Sequence, residues 1–275
     1  MTQPTKQSGQ IGRDAVVPAL KTALEPLDYV HAMWEGGAIS FDRIDDMSDI
    51  DLYVDVEDSR VSDVFPVVEG VLERLSGIKL KFYVPLPPSH PYAQAFYRLE
   101  RASEFLLVDV AVMKHGAEDK FLEPEIHGKA LFHFNKNGVV KVPRVDGDKF
   151  VANLRGRLEK MQARFDMFRC FVPKEMKRGN HVEALDLYTR LVLELLLEAL
   201  RMKHKPLHYN FRTHHILHDL PRSVVERLRA LYFVSDETDL ARKLGLAEEW
   251  FRQTVAEIDF DEIRRNIGAE GRVDS

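Results

Sequence analysis

The hydrophobic period changes once along this chain, and that change limits what it can fold into. Up to about residue 142, apolar residues recur every second position in short runs divided by turn residues. Beyond it they recur at helical spacing to the end of the chain. The first part reads as mixed strand and helix, the second as helix alone. The break falls at "VPRVDGDK", which predicts two domains, 1–145 and 146–275. The expected class is α+β: a mixed twisted sheet flanked by helices, then an all-helical C-terminal domain.

Within the first part, residues 12–26 read as a helix through Val16, Val17, Leu20 and Leu24. "YVHAMW" and "DIDLYVDV" read as strands. "VSDVFPVVEGVLERL" reads as a helix disturbed by Pro66 and weakened by Gly70. "IKLKFYVPL", "AQAFYRLE" and "FLLVDVAVM" read as further strands, the last two joined by a short polar turn. "KALFHF-NKNG-VVKV" reads as a hairpin, because Asn137-Gly138 supplies the positive φ angles of a tight turn. In the second part, Phe150, Leu154, Leu158, Met161, Phe165 and Phe168 form a stripe. It predicts one helix running to a stop near Gly179-Asn180. Both chain ends are polar and expected to be loose.

The stretch 183–202 is the most apolar, but it is not a membrane span. Asp186, Arg190, Glu194 and Glu198 recur every four residues along it, and burying them in lipid costs several kcal/mol each. The amino end lacks the apolar core of a secretory signal. With one cysteine, Cys170, no internal disulfide forms, so a cytoplasmic location is expected. Cys170 itself, inside an apolar helical stripe, reads as core. A net charge of -5 argues against nucleic acid as a partner.

The chemistry concentrates between residues 34 and 56, "WEGGAISFDRIDDMSDIDLYVDV". On a strand, Asp49, Asp51 and Tyr53 share one face, and Ile50, Leu52 and Val54 the other. Two carboxylates about 7 Å apart along a strand repel each other unless a cation joins them. Asp109 stands alone in the apolar run "FLLVDVAVM", where an unpaired charge is costly. An oxygen-ligated ion shared by Asp49, Asp51 and Asp109 resolves both problems, and such ligands suit Mg2+. Two such ions would clamp the oxygens of a phosphoryl displacement. Gly36 and Gly37 permit close backbone approach to an anion. The competing reading has Asp49 capping a turn and Asp51 paired with Arg43. Tyr53 is placed either to stack on a base or to pack internally.

The glycine pair, the intervening residues, "SDIDL" and the later strand Asp resemble the nucleotidyltransferase superfamily of the DNA polymerase beta type. The mixed-then-helical layout is similar to its antibiotic- and lincosamide-modifying branches. The motif resemblance covers roughly residues 28 to 113. It implies that Gly36 and Gly37, with Ser40, Arg43 and Ser48 around them, hold the triphosphate of ATP. It also implies that Asp49, Asp51 and Asp109 are the catalytic residues and ligate Mg2+. Phe41-Asp42 stands where Arg-Gly is common in the family, with Arg43 beside it. The implied reaction moves AMP from ATP to a hydroxyl of a small molecule such as an aminoglycoside- or lincosamide-like compound. A protein acceptor, or a non-catalytic nucleotide-binding relative, is the alternative.

Basic residues Lys203, Lys205 and Arg212 are candidates to reach the phosphates. The surrounding histidines, His204, His208, His214, His215 and His218, read as a basic connector more than as metal ligands. Glu194 and Glu198 are candidates for a cationic acceptor or a general base, against a plain i,i+4 ladder with Arg190.

Overall fold

The computed structural model describes residues 9–270, with side chains through residue 267. Residues 1–8 and 271–275, which carry most of the ends expected to be loose, lie outside the described residues. The chain divides into two compact units between Arg144 and Val145.

In the first unit, helix α1 (Arg13–Leu24) buries Val16, Val17, Leu20 and Leu24. Strand β1 (Val30–Glu35) follows, then a 3₁₀ turn, Gly37–Phe41. Strand β2 is Ile50–Val56 and helix α2 is Val61–Leu75. Helix α2 runs through Pro66, since burial of Val64, Phe65, Val68, Val71 and Leu72 outweighs one lost backbone bond. Strands β3 (Ile78–Tyr83), β4 (Tyr92–Leu99) and β5 (Val108–Lys114), short helix α3 (Pro124–His127) and strand β6 (Leu131–Asn135) complete the unit.

The strands form one six-stranded sheet in the order β3-β4-β5-β2-β1-β6. The β2–β5 pair is parallel and the others are antiparallel. One face packs Ile50, Leu52, Val54, Val108, Val110 and Val112 into a core with α1 and α2. Alternation therefore puts Asp51, Tyr53, Asp55 and Asp109 on the opposite face.

The expected hairpin at Asn137-Gly138 does not form. Both residues do adopt positive φ, at 52° and 61°. The segment after them is irregular, and β6 pairs with β1 instead. The Asn135 side chain does what a second strand would have done: its amide donates to Val140 O at 2.8 Å, and its oxygen accepts from Val140 N at 3.2 Å.

The second unit is helical: α4 (Gly147–Phe168), α5 (Phe171–Lys177), α6 (His181–Tyr188), a π-helical turn Thr189–Leu193, and α7 (Glu194–His204). Then come α8 (Ile216–Asp219), α9 (Arg222–Tyr232), α10 (Glu237–Ala256) and α11 (Phe260–Glu270). Asp146 caps α4 by accepting from Asp148 N and Lys149 N. The helix expected to reach Gly179 breaks earlier, at Arg169-Cys170, and Cys170 is exposed at that break instead of lying in the core. Among the described residues no helix is long and apolar enough to cross a membrane.

Candidate functional site

The parallel register sets Asp51 directly beside Asp109. Neighbouring strands lie about 4.8 Å apart, so paired residues of a parallel ladder send their side chains out together. Asp49 is not within the strand; it sits one residue before β2, at the strand mouth. There its carboxylate accepts from Leu107 N at 3.2 Å, while Ile50 N donates to Leu107 O at 2.9 Å. The pair of bonds ties the entrance of β2 to the entrance of β5.

Two of the three acids are held above the usual carboxylate range. Burial, and then the neighbouring Asp49, push Asp51 above the usual carboxylate range. Burial likewise pushes Asp109 up to about 7, with Asp51 and Asp49 adding to the rise. Gln94 opposes it: its side-chain amide donates to both Asp109 oxygens, at 2.9 and 2.8 Å. Among the described residues no lysine or arginine forms an ion pair with Asp49, Asp51 or Asp109. The competing sequence reading, an Asp51–Arg43 pair, is therefore not what the chain builds.

The glycines are required by this geometry. Gly37 has φ +64°, and a Cβ there would stand 1.8 Å from Asp51 Oδ2. A Cβ on Gly36 would meet the Tyr53 ring at 2.7 Å, and Gly36 N donates to Asp51 O at 3.0 Å. Tyr53 is packed, stacked on Trp34 with centroids 5.6 Å apart. Burial and the nearby Asp51 and Asp109 raise its pKa, so the phenol stays neutral.

The remaining expected phosphate ligands divide. Arg43 lies over the Phe41 ring at 5.1 Å, and its buried Nη1 has no hydrogen-bond partner. Ser40 is buried with its hydroxyl 3.5 Å from Glu35 O. The Ser48 hydroxyl bonds Asp45 within a local turn, at 2.9 Å. Both serines are thus engaged within the chain. Lys203, Lys205 and Arg212 belong to the helical unit. Lys203 pairs with Glu257 at 2.7 Å, Arg212 pairs with Glu194, and Lys205 closes α7.

Two contributors escaped the sequence reading. Gln94 is a single amide in a strand of ordinary alternation, "YAQAFYRL". Arg13 opens α1, far away in sequence; it donates to Asp49 O and pairs with buried Glu35, which His133 also contacts at 2.8 Å. Burial lowers the Arg13 pKa against the opposing pull of Asp51 and Asp49.

A second cluster lies further along β2. One ligand atom each from His31, Asp55 and His115 lie within 4.8 Å of one another. Asp55, fully buried, is also bonded to Lys120 Nζ at 2.7 Å and to His115 Nδ1 at 2.7 Å. Among the described residues the histidines between 204 and 218 form no such group.

Among solved structures, the chain is similar to the crystal structure of an aminoglycoside 6-adenyltransferase from Bacillus subtilis. The identity is 15% and the TM-score 0.35, with 96% of this chain and 100% of that chain covered. No family model matches the chain, and no curated protein matches it.

Proposed function

We propose that this protein transfers a nucleoside monophosphate, AMP from ATP, to a hydroxyl of a small molecule in a Mg2+-dependent reaction. The carrying observation is the set of three mutually repelling carboxylates at the mouths of β2 and β5, two with raised pKa, with which no lysine or arginine among the described residues forms an ion pair; Arg13 offsets their charge only in part. Their donor atoms are all oxygens, which fits magnesium, and Arg43, whose Nη1 has no hydrogen-bond partner, fits a phosphate oxygen. When bound, the metal neutralises phosphate charge and lowers the pKa of the attacking hydroxyl.

The chain's own residues then have distinct tasks. Asp51 and Asp109 present oxygens side by side from rigid strands, and Asp49 adds a third from the strand mouth. Gln94 orients Asp109 and favours its ionised form. Gly37 lets the turn pass against Asp51. Arg13 fixes the backbone of Asp49. The acceptor hydroxyl loses its proton to water as its oxygen bonds to the α-phosphorus, the bond from that phosphorus to the bridging oxygen breaks, and pyrophosphate leaves. On this reading residues 1–145 are the catalytic domain and 146–275 the substrate-binding domain.

The test is incubation of the protein with Mg2+, labelled ATP and cell extract, reading pyrophosphate release and adenylylated products by mass spectrometry. Wild type is expected to release pyrophosphate, and Asp51→Asn to lose at least ~10³-fold of that rate while staying folded. Mg-ATP at about 100 times its dissociation constant is expected to stabilise wild type by about 2.7 kcal/mol. Full turnover by Asp51→Asn, or no stabilisation by Mg-ATP, overturns the proposal. Stabilisation without any product identifies a nucleotide-binding protein and overturns the transfer step.

A further inference from the structure

The helical unit contains a cavity of about 730 Å³. That is in the range of small-molecule sites, roughly 300–1,000 Å³. Its wall includes two carboxylates, Glu194 and Glu198, and three guanidinium groups, Arg157, Arg164 and Arg212. Both acids are already taken. Arg157 grips Glu198 with two parallel bonds, Nε at 2.5 Å and Nη2 at 2.8 Å, and the contact raises the Arg157 pKa. Arg212 donates to Glu194. Arg164 has no acidic partner among the described residues. Once the pairs cancel, one positive charge remains on the wall.

Two irregularities shape this wall. The π turn Thr189–Leu193 interrupts the α6–α7 rod and places Thr189 as well as Glu194 on the cavity. Such turns recur at functional sites. The loop between α7 and α8 carries two non-glycine residues in the left-handed region, Arg212 at φ 52° and His215 at φ 54°. Fully buried Arg201 holds that loop in place. Its Nε donates to Arg212 O at 2.6 Å, its Nη1 to Asp219 at 2.7 Å, and its Nη2 to His214 O. Asp219 is bonded in turn to His208 Nδ1 at 2.9 Å. A strained loop persists only where its surroundings over-determine it, and here a buried charge network does so.

We propose that this cavity binds a small anionic molecule, whose carboxylate or phosphate group is received by Arg164, and not the cationic acceptor that its acids suggest in the sequence. A cation there would have to share Glu198 or Glu194 with the guanidinium group already bonded to it and would be repelled by that charge. An anion adds a partner to Arg164 and disturbs neither pair. That this ligand is the nucleotidyl acceptor rests on the preceding proposal; its binding does not.

The test is ligand-observed NMR titration of the full chain without nucleotide or magnesium. The probes are glucose 6-phosphate, gluconate and spermidine. Glucose 6-phosphate or gluconate is expected to bind wild type and Asp51→Asn equally, and at least tenfold more weakly to Arg164→Glu. Which of the two binds tells phosphate from carboxylate. Equal affinities in wild type and Asp51→Asn separate this site from the acids of the sheet, so loss of transferase activity leaves the result standing. The proposal is overturned if neither anion binds at millimolar concentration, or if their binding ignores Arg164→Glu. It is equally overturned if spermidine binds in their place and is lost in Glu198→Gln.

Discussion

The two ends of β2 treat the same residue in opposite ways. Asp55, near its end, is fully buried and receives Lys120 on one oxygen and His115 on the other. Lys120 is itself completed by the carbonyls of Lys114 and His115, at 2.8 and 2.9 Å. Asp51, on the same face at the strand's start, has a register partner of its own sign, Asp109. The chain therefore pairs a buried carboxylate from within at one end and gathers acids with no ion pair of their own among the described residues at the other, where Arg13 offsets them only at a distance. Glu194 and Glu198 of the helical unit follow the Asp55 pattern, each with its arginine. Against that background, the sheet mouth is where charge from outside the chain is called for.

The largest expected effect breaks the satisfied end. Lys120→Met leaves Asp55 buried with half of its partners, and is expected to lose about 3–5 kcal/mol in denaturant unfolding. A loss under about 1 kcal/mol would show that Asp55 is not held by Lys120, and the contrast between the two ends would fail.

The next expectation concerns pH. Asp109 titrates near 7 in the folded chain against 3.8 for the free group. A raised carboxylate pKa means the folded state binds the extra proton. Its contribution is therefore fully present below about pH 4 and is lost as pH rises through 7, up to about 4 kcal/mol. Asp51 shifts in the same direction. Thermal unfolding without metal is expected to worsen from pH 5 to 8, and magnesium to remove most of that slope. A metal-free stability that is flat across the range would remove the electrostatic case for the site.

Neutralising one acid sharpens the comparison. Asp51→Asn is expected to stabilise the metal-free protein at pH 8 by about 1–2 kcal/mol, since it relieves repulsion among Asp49, Asp51 and Asp109. The same change is expected to abolish stabilisation by magnesium. Destabilisation of the metal-free protein would mean that Asp51 has a partner within the chain.

How much of this was legible in the sequence follows from the range of each interaction. Period-two alternation placed β2 and its faces, and a lone charge in an apolar run marked Asp109, because both signals are local. The parallel β2–β5 register, which puts Asp51 against Asp109, is set by pairing distant segments and has no local sign. Arg13 reaches Asp49 across the fold for the same reason. The hairpin misreading shows the reverse error. Asn137-Gly138 had the right turn chemistry, but Asn135 satisfied Val140 with its side chain and left no strand to pair. The stripe on α7 misled in a similar way: spacing found Glu194 and Glu198, yet their arginines come from α4 and from the loop after α7.

The last expectation tests Gln94, the side chain that hydrogen-bonds Asp109. Its amide faces both Asp109 oxygens, so it favours the ionised form and holds the pKa below the value burial alone would set. Gln94→Leu keeps the strand and removes the donor. A hydrogen bond to a charged group is worth about 1.5–3 kcal/mol, so the Asp109 pKa is expected to rise by about one unit or more. Carbon-detected NMR of the Asp109 carboxyl reads this directly. The pH at which magnesium begins to bind should move up with it, while affinity at high pH changes only a few-fold, because the three oxygens remain. If the pKa stays near 7 in the variant, Gln94 does not stabilise the ionised carboxylate. Magnesium binding at neutral pH would then depend on Asp49 and Asp51 alone to set the charge of the site.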